Sequence, residues 1–182
     1  MYSFRVNESY RGTLTQIARQ VYEAESVEER HEIVTSNGLQ PVDGHTIGDA
    51  VRSSGTGRFV TTLPDHVDSS GDFVVKFAIP DESDALDGRQ QNVVEVNVWN
   101  SSQDSILVPV VDCNGECDWI VQPRGETETD PTEHDDWDVF VANASNLLAS
   151  FGMPSNEATV PENIVTLDGE LRLCDYGCRT MI

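Results

Sequence analysis

Apolar positions recur along this chain at two different periods, and the switches between them mark its elements. Within residues 8–36, Leu14, Ile17, Ala18, Val21 and Tyr22 fall at the three- and four-residue spacing that stacks side chains on one helical face. A second helix follows after a break, and Asn37-Gly38 ends it. A glycine-containing segment, 44–57, leads into Arg58-Phe59-Val60-Thr61-Thr62-Leu63, whose β-branched content predicts a strand. Residues 65–72 read as a polar turn. Phe73-Val74-Val75-Lys76-Phe77-Ala78-Ile79 is the near-continuous apolar run of a buried strand, followed by an acidic loop over 81–87 and a helix over 89–99.

The second half continues in the same way. The runs 106–111 and 119–121 read as a hairpin around the turn pair Asn114-Gly115, with Pro109 making the first run an edge strand or a bulge. Residues 125–138 are strongly acidic and read as a linker between lobes, with His134 in a solvated loop. Phe140, Ala144, Leu147, Leu148 and Phe151 then line one helical face, which Gly152 is placed to end. Finally, 164–167 and 170–174 flank Asp168-Gly169, a strong hairpin signal. Helices interleaved with antiparallel strand pairs give an α+β class.

Lys76 breaks the pattern. It is the only lysine of the chain, yet it occupies the middle of a strand that otherwise reads as buried. Burying an ammonium costs several kcal/mol unless an anion compensates it, so this position calls for an anionic neighbour, an anionic ligand, or both.

Composition narrows the setting. Aspartate and glutamate number 32 against 11 lysine and arginine, a net charge of −21, which leaves nothing to neutralise a nucleic-acid backbone or an anionic membrane surface. An acidic, lysine-poor surface of this kind fits a protein of a salt-accumulating halophile, where screening makes the self-repulsion tolerable. No stretch is long and apolar enough for a membrane span, and the first residues lack the basic and apolar regions of a signal peptide, so a cytoplasmic protein with reduced thiols is expected. The four cysteines form two CxxxC pairs, Cys113 with Cys117 and Cys174 with Cys178. That spacing allows a four-thiolate zinc site, but a hairpin turn and a small strand residue account for the same positions and are favoured.

In order, these features resemble the protein-kinase-like fold. Pro161-Glu162-Asn163, a hairpin, and then Asp175-Tyr176-Gly177 match the family's catalytic-loop asparagine and DFG aspartate, which implies that Asn163 and Asp175 hold Mg²⁺. Val74-Val75-Lys76 resembles the strand lysine that contacts nucleotide phosphates, and Glu95 is its expected ion-pair partner on the following helix. Ser54-Gly55-Thr56-Gly57 resembles the glycine-rich phosphate loop, with Gly55 and Gly57 letting backbone amides approach anions, although Val60 replaces its third glycine. The stretch from Gln122 would be the hinge that faces adenine. The resemblance implies ATP and Mg²⁺ as cofactors, with Lys76, Glu95 and Asp175 in the catalytic positions. It divides the chain into an N-terminal helical segment (1–43), an N-lobe (44–124), the acidic linker (125–138) and a minimal C-lobe (139–182).

Two departures qualify that picture. The family's catalytic aspartate position is Ala158, preceded by Asn156-Glu157, and a methyl group cannot accept a hydroxyl proton. The sequence also stops five residues after Gly177, leaving a truncated C-lobe without an activation segment, similar to short kinase-like proteins of phages and mobile elements. An apolar face left uncovered in this way calls for a protein partner or a homodimer. The reading that follows is a pseudokinase-like module that binds ATP and Mg²⁺ and acts through a partner. The alternatives are a small phosphotransferase with Glu157 as base, and a structural protein in which Lys76 and Glu95 persist only as a buried ion pair.

Overall fold

The computed structural model describes residues 2, 4–42, 57–80, 87–127 and 130–177. It is α+β, built on a five-stranded antiparallel sheet with helices on both faces. The expected acidic loop lies almost wholly outside the described residues, as do Gly55, Cys178 and most of the glycine-rich segment.

The first helix, α1 (Glu8–Glu23), starts where the Asn7 side chain accepts the Tyr10 amide at 2.9 Å, satisfying one of the unpaired donors of its first turn. Its stripe of Leu14, Ile17, Ala18 and Val21 is buried, as the spacing requires. After the break comes α2 (Val27–Ser36), capped by Ser26. Both helices pack on one face of the sheet. Its strands are β1 (Gln40–Pro41), β2 (Arg58–Thr62), β3 (Phe73–Ala78), β4 (Asp112–Cys113) and β5 (Trp119–Pro123), in the order β1-β2-β3-β5-β4.

Register decides which side chains meet. Phe59, Phe77 and Trp119 lie directly across from one another on three neighbouring strands, and so, one residue along, do Val60, Lys76 and Ile120. Because successive side chains point to opposite faces, Phe59, Val75, Phe77, Trp119 and Val121 face α1 and form the first core with it. Arg58, Lys76 and Gln122 belong to the other face. There lies α3 (Gly88–Ser102), whose N-cap Asp87 accepts the Gln90 amide.

A second core joins α3 to α4 (Trp137–Ser150) and to the hairpin of β6 (Ile164–Leu167) and β7 (Glu170–Leu173). The hairpin turns at Asp168-Gly169, both at positive φ, as the sequence indicates. Val98, Leu107, Phe140, Ala144, Leu148, Leu173 and Tyr176 fill this core.

Two sequence expectations need correction. The run 106–111 is not the first strand of a hairpin with β5; residues 112–113 are, and from the run it is Val111, at its end, that reaches β5 by donating its amide to Val121 at 2.9 Å. Instead Val108 donates its amide to Leu173 and Leu173 donates to Ile106, at 2.9 and 2.8 Å, so the run lies alongside β7. Pro109, with no amide to donate, marks the point where the chain leaves β7 for the sheet. The acidic stretch 125–138 is not a free linker over its described part. Glu126 and Thr166 exchange backbone hydrogen bonds at 2.8 and 3.0 Å, Asp130 caps a short 3-10 turn (Pro131–Glu133), and Trp137 already begins α4. Backbone pairing is indifferent to side-chain charge, so acidity alone does not exclude it.

Candidate functional site

Strand alternation directs one polar side chain from each of three neighbouring strands toward α3, and all three end on Glu95. This carboxylate is 0% exposed. Both of its oxygens lie 3.4 Å from Lys76 Nζ. Gln122 Nε2 donates to Oε2 at 3.0 Å, and Arg58 donates through Nη1 to Oε1. Lys76 is itself 6% exposed and donates to the Cys174 carbonyl, which ties β3 to the segment that follows β7.

That segment carries Asp175. Its side chain, 40% exposed, accepts from Arg58 Nη2, so one guanidinium spans Glu95 and Asp175. Two cations therefore face two carboxylates, and the cluster is neutral. Tyr176 turns into the second core and donates its hydroxyl to the Val108 carbonyl at 2.8 Å. Gly177 closes against α3, where a Cβ would come within 2.6 Å of the Gln91 carbonyl and 2.9 Å of Arg58 Nη1. Only glycine permits that approach.

Burial sets the electrostatics. It pushes the Lys76 pKa down from its ordinary value; Arg58 acts in the same direction, and Glu95 opposes both. Burial likewise pushes the Cys174 thiol up, against the pull of Lys76 and Arg58. Among the described residues, Gln122 Oε1 is buried without a hydrogen-bond donor.

Asn163 lies across the hairpin from Cys174, whose amide donates to the Asn163 carbonyl at 2.8 Å. This sets it one residue along from Asp175. Its side-chain amide nitrogen donates to Glu157 at 3.1 Å, which leaves its amide oxygen as the acceptor. A carboxylate oxygen and an amide oxygen are the hard donors that Mg²⁺ prefers, and the partial exposure of Asp175 gives an approach from solvent. Asp175 and Asn163 thus supply the donor types a divalent cation takes, although Arg58 holds the Asp175 carboxylate and the Asn163 side chain is engaged with Glu157.

Glu95 thus joins Lys76 to Arg58, which carries the cluster on to Asp175, and Asn163 is linked to it through the backbone bond with Cys174. Gly57, at φ +115°, accepts the Ile79 amide at 2.8 Å just before Arg58. Gln122 does not stand in a hinge. It lies inside β5 and is 1% exposed, because that strand runs on to Pro123 and Arg124 still donates its amide to Asp72. The three described cysteines do not assemble as a set: Cys113 and Cys117 bracket the β4–β5 turn, while Cys174 sits at the ionic cluster. Among the described residues, no three histidine, cysteine, aspartate or glutamate side chains form a metal-holding group.

The residue that sequence reasoning misses is Arg58. Its signal is a cation at the first position of an otherwise uncharged strand, in phase with Val60 and hence, through the β2–β3 register, on the same face as Lys76. Compared with known proteins, the chain matches no family model and no curated protein. No helix among the described residues is long and apolar enough to cross a membrane.

Proposed function

We propose that this chain is a kinase-like module that binds ATP with Mg²⁺, transfers phosphate poorly or not at all, and acts by presenting its liganded surface to a protein partner. The observation that carries this reading is the meeting of three elements at one point: the lone lysine on β3, a buried carboxylate on α3, and the aspartate just past β7. In this reading Lys76, steadied by Glu95, binds phosphate oxygens, and Asp175 and Asn163 hold the metal. When bound, Mg²⁺ would supply positive charge to offset the negative charge of the phosphate oxygens.

The weak transfer follows from Ala158, which is buried in the second core and offers no group to accept a proton. The carboxylate beside Asn163 belongs to Glu157, so any residual transfer would depend on it. A second reading, a structural protein without nucleotide, draws support from the self-neutralised cluster, since two cations and two carboxylates that satisfy one another need no ligand.

Calorimetry separates the two. Mg²⁺ and ATP titrated in several-molar KCl are expected to give saturable binding to wild type and none to Asp175→Ala. Absence of binding up to millimolar ATP would leave the structural reading standing and turn the search to protein partners.

A further inference from the structure

We infer that Arg58 is the internal occupant of the cation seat at Asp175, and that the ionic cluster admits a metal-bound nucleotide only by exchanging this guanidinium for the metal. The inference rests on the reading above, in which Asp175 holds a divalent cation. It adds a residue and a gating step that the kinase resemblance does not supply.

Three observations converge on it. Arg58 does not merely neighbour Asp175; its Nη2 donates to the carboxylate, while Nη1 is anchored on Glu95. Its side chain is 6% exposed and packs against the position of Gly177, so the guanidinium fills its place within the cluster. Charge balance supplies the third. With Arg58 and Lys76 set against Glu95 and Asp175 the sum is zero, and a neutral cluster holds no attraction for a polyphosphate. A divalent cation in place of the guanidinium raises the sum to one positive charge, facing the ligand's negative oxygens.

The chain position suits an exchange. Arg58 is the first residue of β2, directly after Gly57 and paired with Ala78 at the end of its ladder. Its side chain can withdraw without breaking the interior pairs of β2 and β3 that hold Lys76 in place. Glu95 keeps Lys76 and Gln122 as donors when Arg58 leaves, so the buried carboxylate is not stranded.

The test compares wild type, Arg58→Met, which keeps an apolar stem and removes the charge, and Arg58→Lys, which keeps a charge on a shorter reach. Each is titrated with MgCl₂ alone and with ATP plus MgCl₂, by calorimetry and by thermal shift. Arg58→Met is expected to bind Mg²⁺ with ATP about tenfold to a hundredfold more tightly than wild type, the scale of one lost charge-assisted contact. It is also expected to gain a thermal shift with MgCl₂ alone that wild type lacks. Equal affinity in wild type and Arg58→Met would overturn the exchange while leaving nucleotide binding intact. Weaker binding in Arg58→Met would overturn it too, by making Arg58 a ligand contact. No binding to any folded variant would remove the nucleotide reading and the exchange with it. Should Arg58→Met fail to fold, wild type carries the test: nitrogen-detected spectra of the arginine side chains are expected to show one slowly exchanging guanidinium that begins fast exchange with water when Mg²⁺ and ATP are added. A guanidinium that stays protected in the saturated complex would overturn the proposal.

Discussion

Glu95 shows at the scale of one residue how this molecule handles a buried charge. A carboxylate without solvent is tolerable only if its oxygens are saturated, and here an ammonium, a guanidinium and an amide each supply donors to it. The two cations are less well placed without it, because Arg58 and Lys76 repel each other across the site that Glu95 neutralises; Arg58 already pushes the Lys76 pKa down. Removal of the shared anion should therefore cost more than removal of either cation. Glu95→Gln is expected to lose about 3 to 5 kcal/mol, the range for breaking a buried pair. Lys76→Met is expected to lose less, because Arg58 then remains to face Glu95 and Asp175. Urea denaturation at constant salt measures both. If Lys76→Met proved as costly as Glu95→Gln, the carboxylate would not be the hub of the cluster.

The run 106–111 carries the corresponding argument at the scale of an element. Its Val108 amide and Ile106 carbonyl bond to Leu173 of β7, and Leu107 is fully buried in the core shared by α3, α4 and the hairpin. Amide exchange should therefore show Val108 and Leu173 opening together, as one cooperative unit. Leu107→Ala should cost about 2 to 5 kcal/mol and lower the protection of both amides more than that of β3 and β5. Val108 exchanging with the β5 amides instead would return the run to the sheet. This element also marks where sequence legibility ends. The helices α1 to α4, the strands β2 and β3, and the Asp168-Gly169 hairpin are readable because period and turn chemistry are local properties. What 106–111 pairs with is not local: periodicity assigns a face and leaves the neighbour open. The contact of Lys76 with Glu95 is legible for a different reason: a buried ammonium calls for an anion, and the resemblance to the kinase-like fold names Glu95 on the next helix as that partner. Arg58 is not, because alternation puts it on the right face while its reach to Asp175 depends on how the hairpin docks against α3.

Over the whole molecule, the charge of −21 sets the background against which every new ionisation is judged. Its four tyrosines all resist ionisation, each chiefly through burial. Tyr2 is pushed up to about 12, with its hydroxyl donating to Asp168 as the next cause; Tyr176, buried in the second core, is raised well above its ordinary value. A raised acid pKa means that the folded state holds its protons longer than the unfolded chain. The stability this contributes is present in full below the unfolded value of about 10 and is lost as the pH climbs toward the folded values. Because Tyr176 is buried in the second core, its ionisation should coincide with loss of the fold. Phenolate absorbance followed against pH is expected to rise later in the folded protein than in the unfolded chain, with the Tyr176 step coinciding with loss of the circular dichroism signal. The urea-unfolded chain should titrate all four near 10. A normal step in the folded state, with the amplitude of even one tyrosine, would mean that at least one of these environments is open to water.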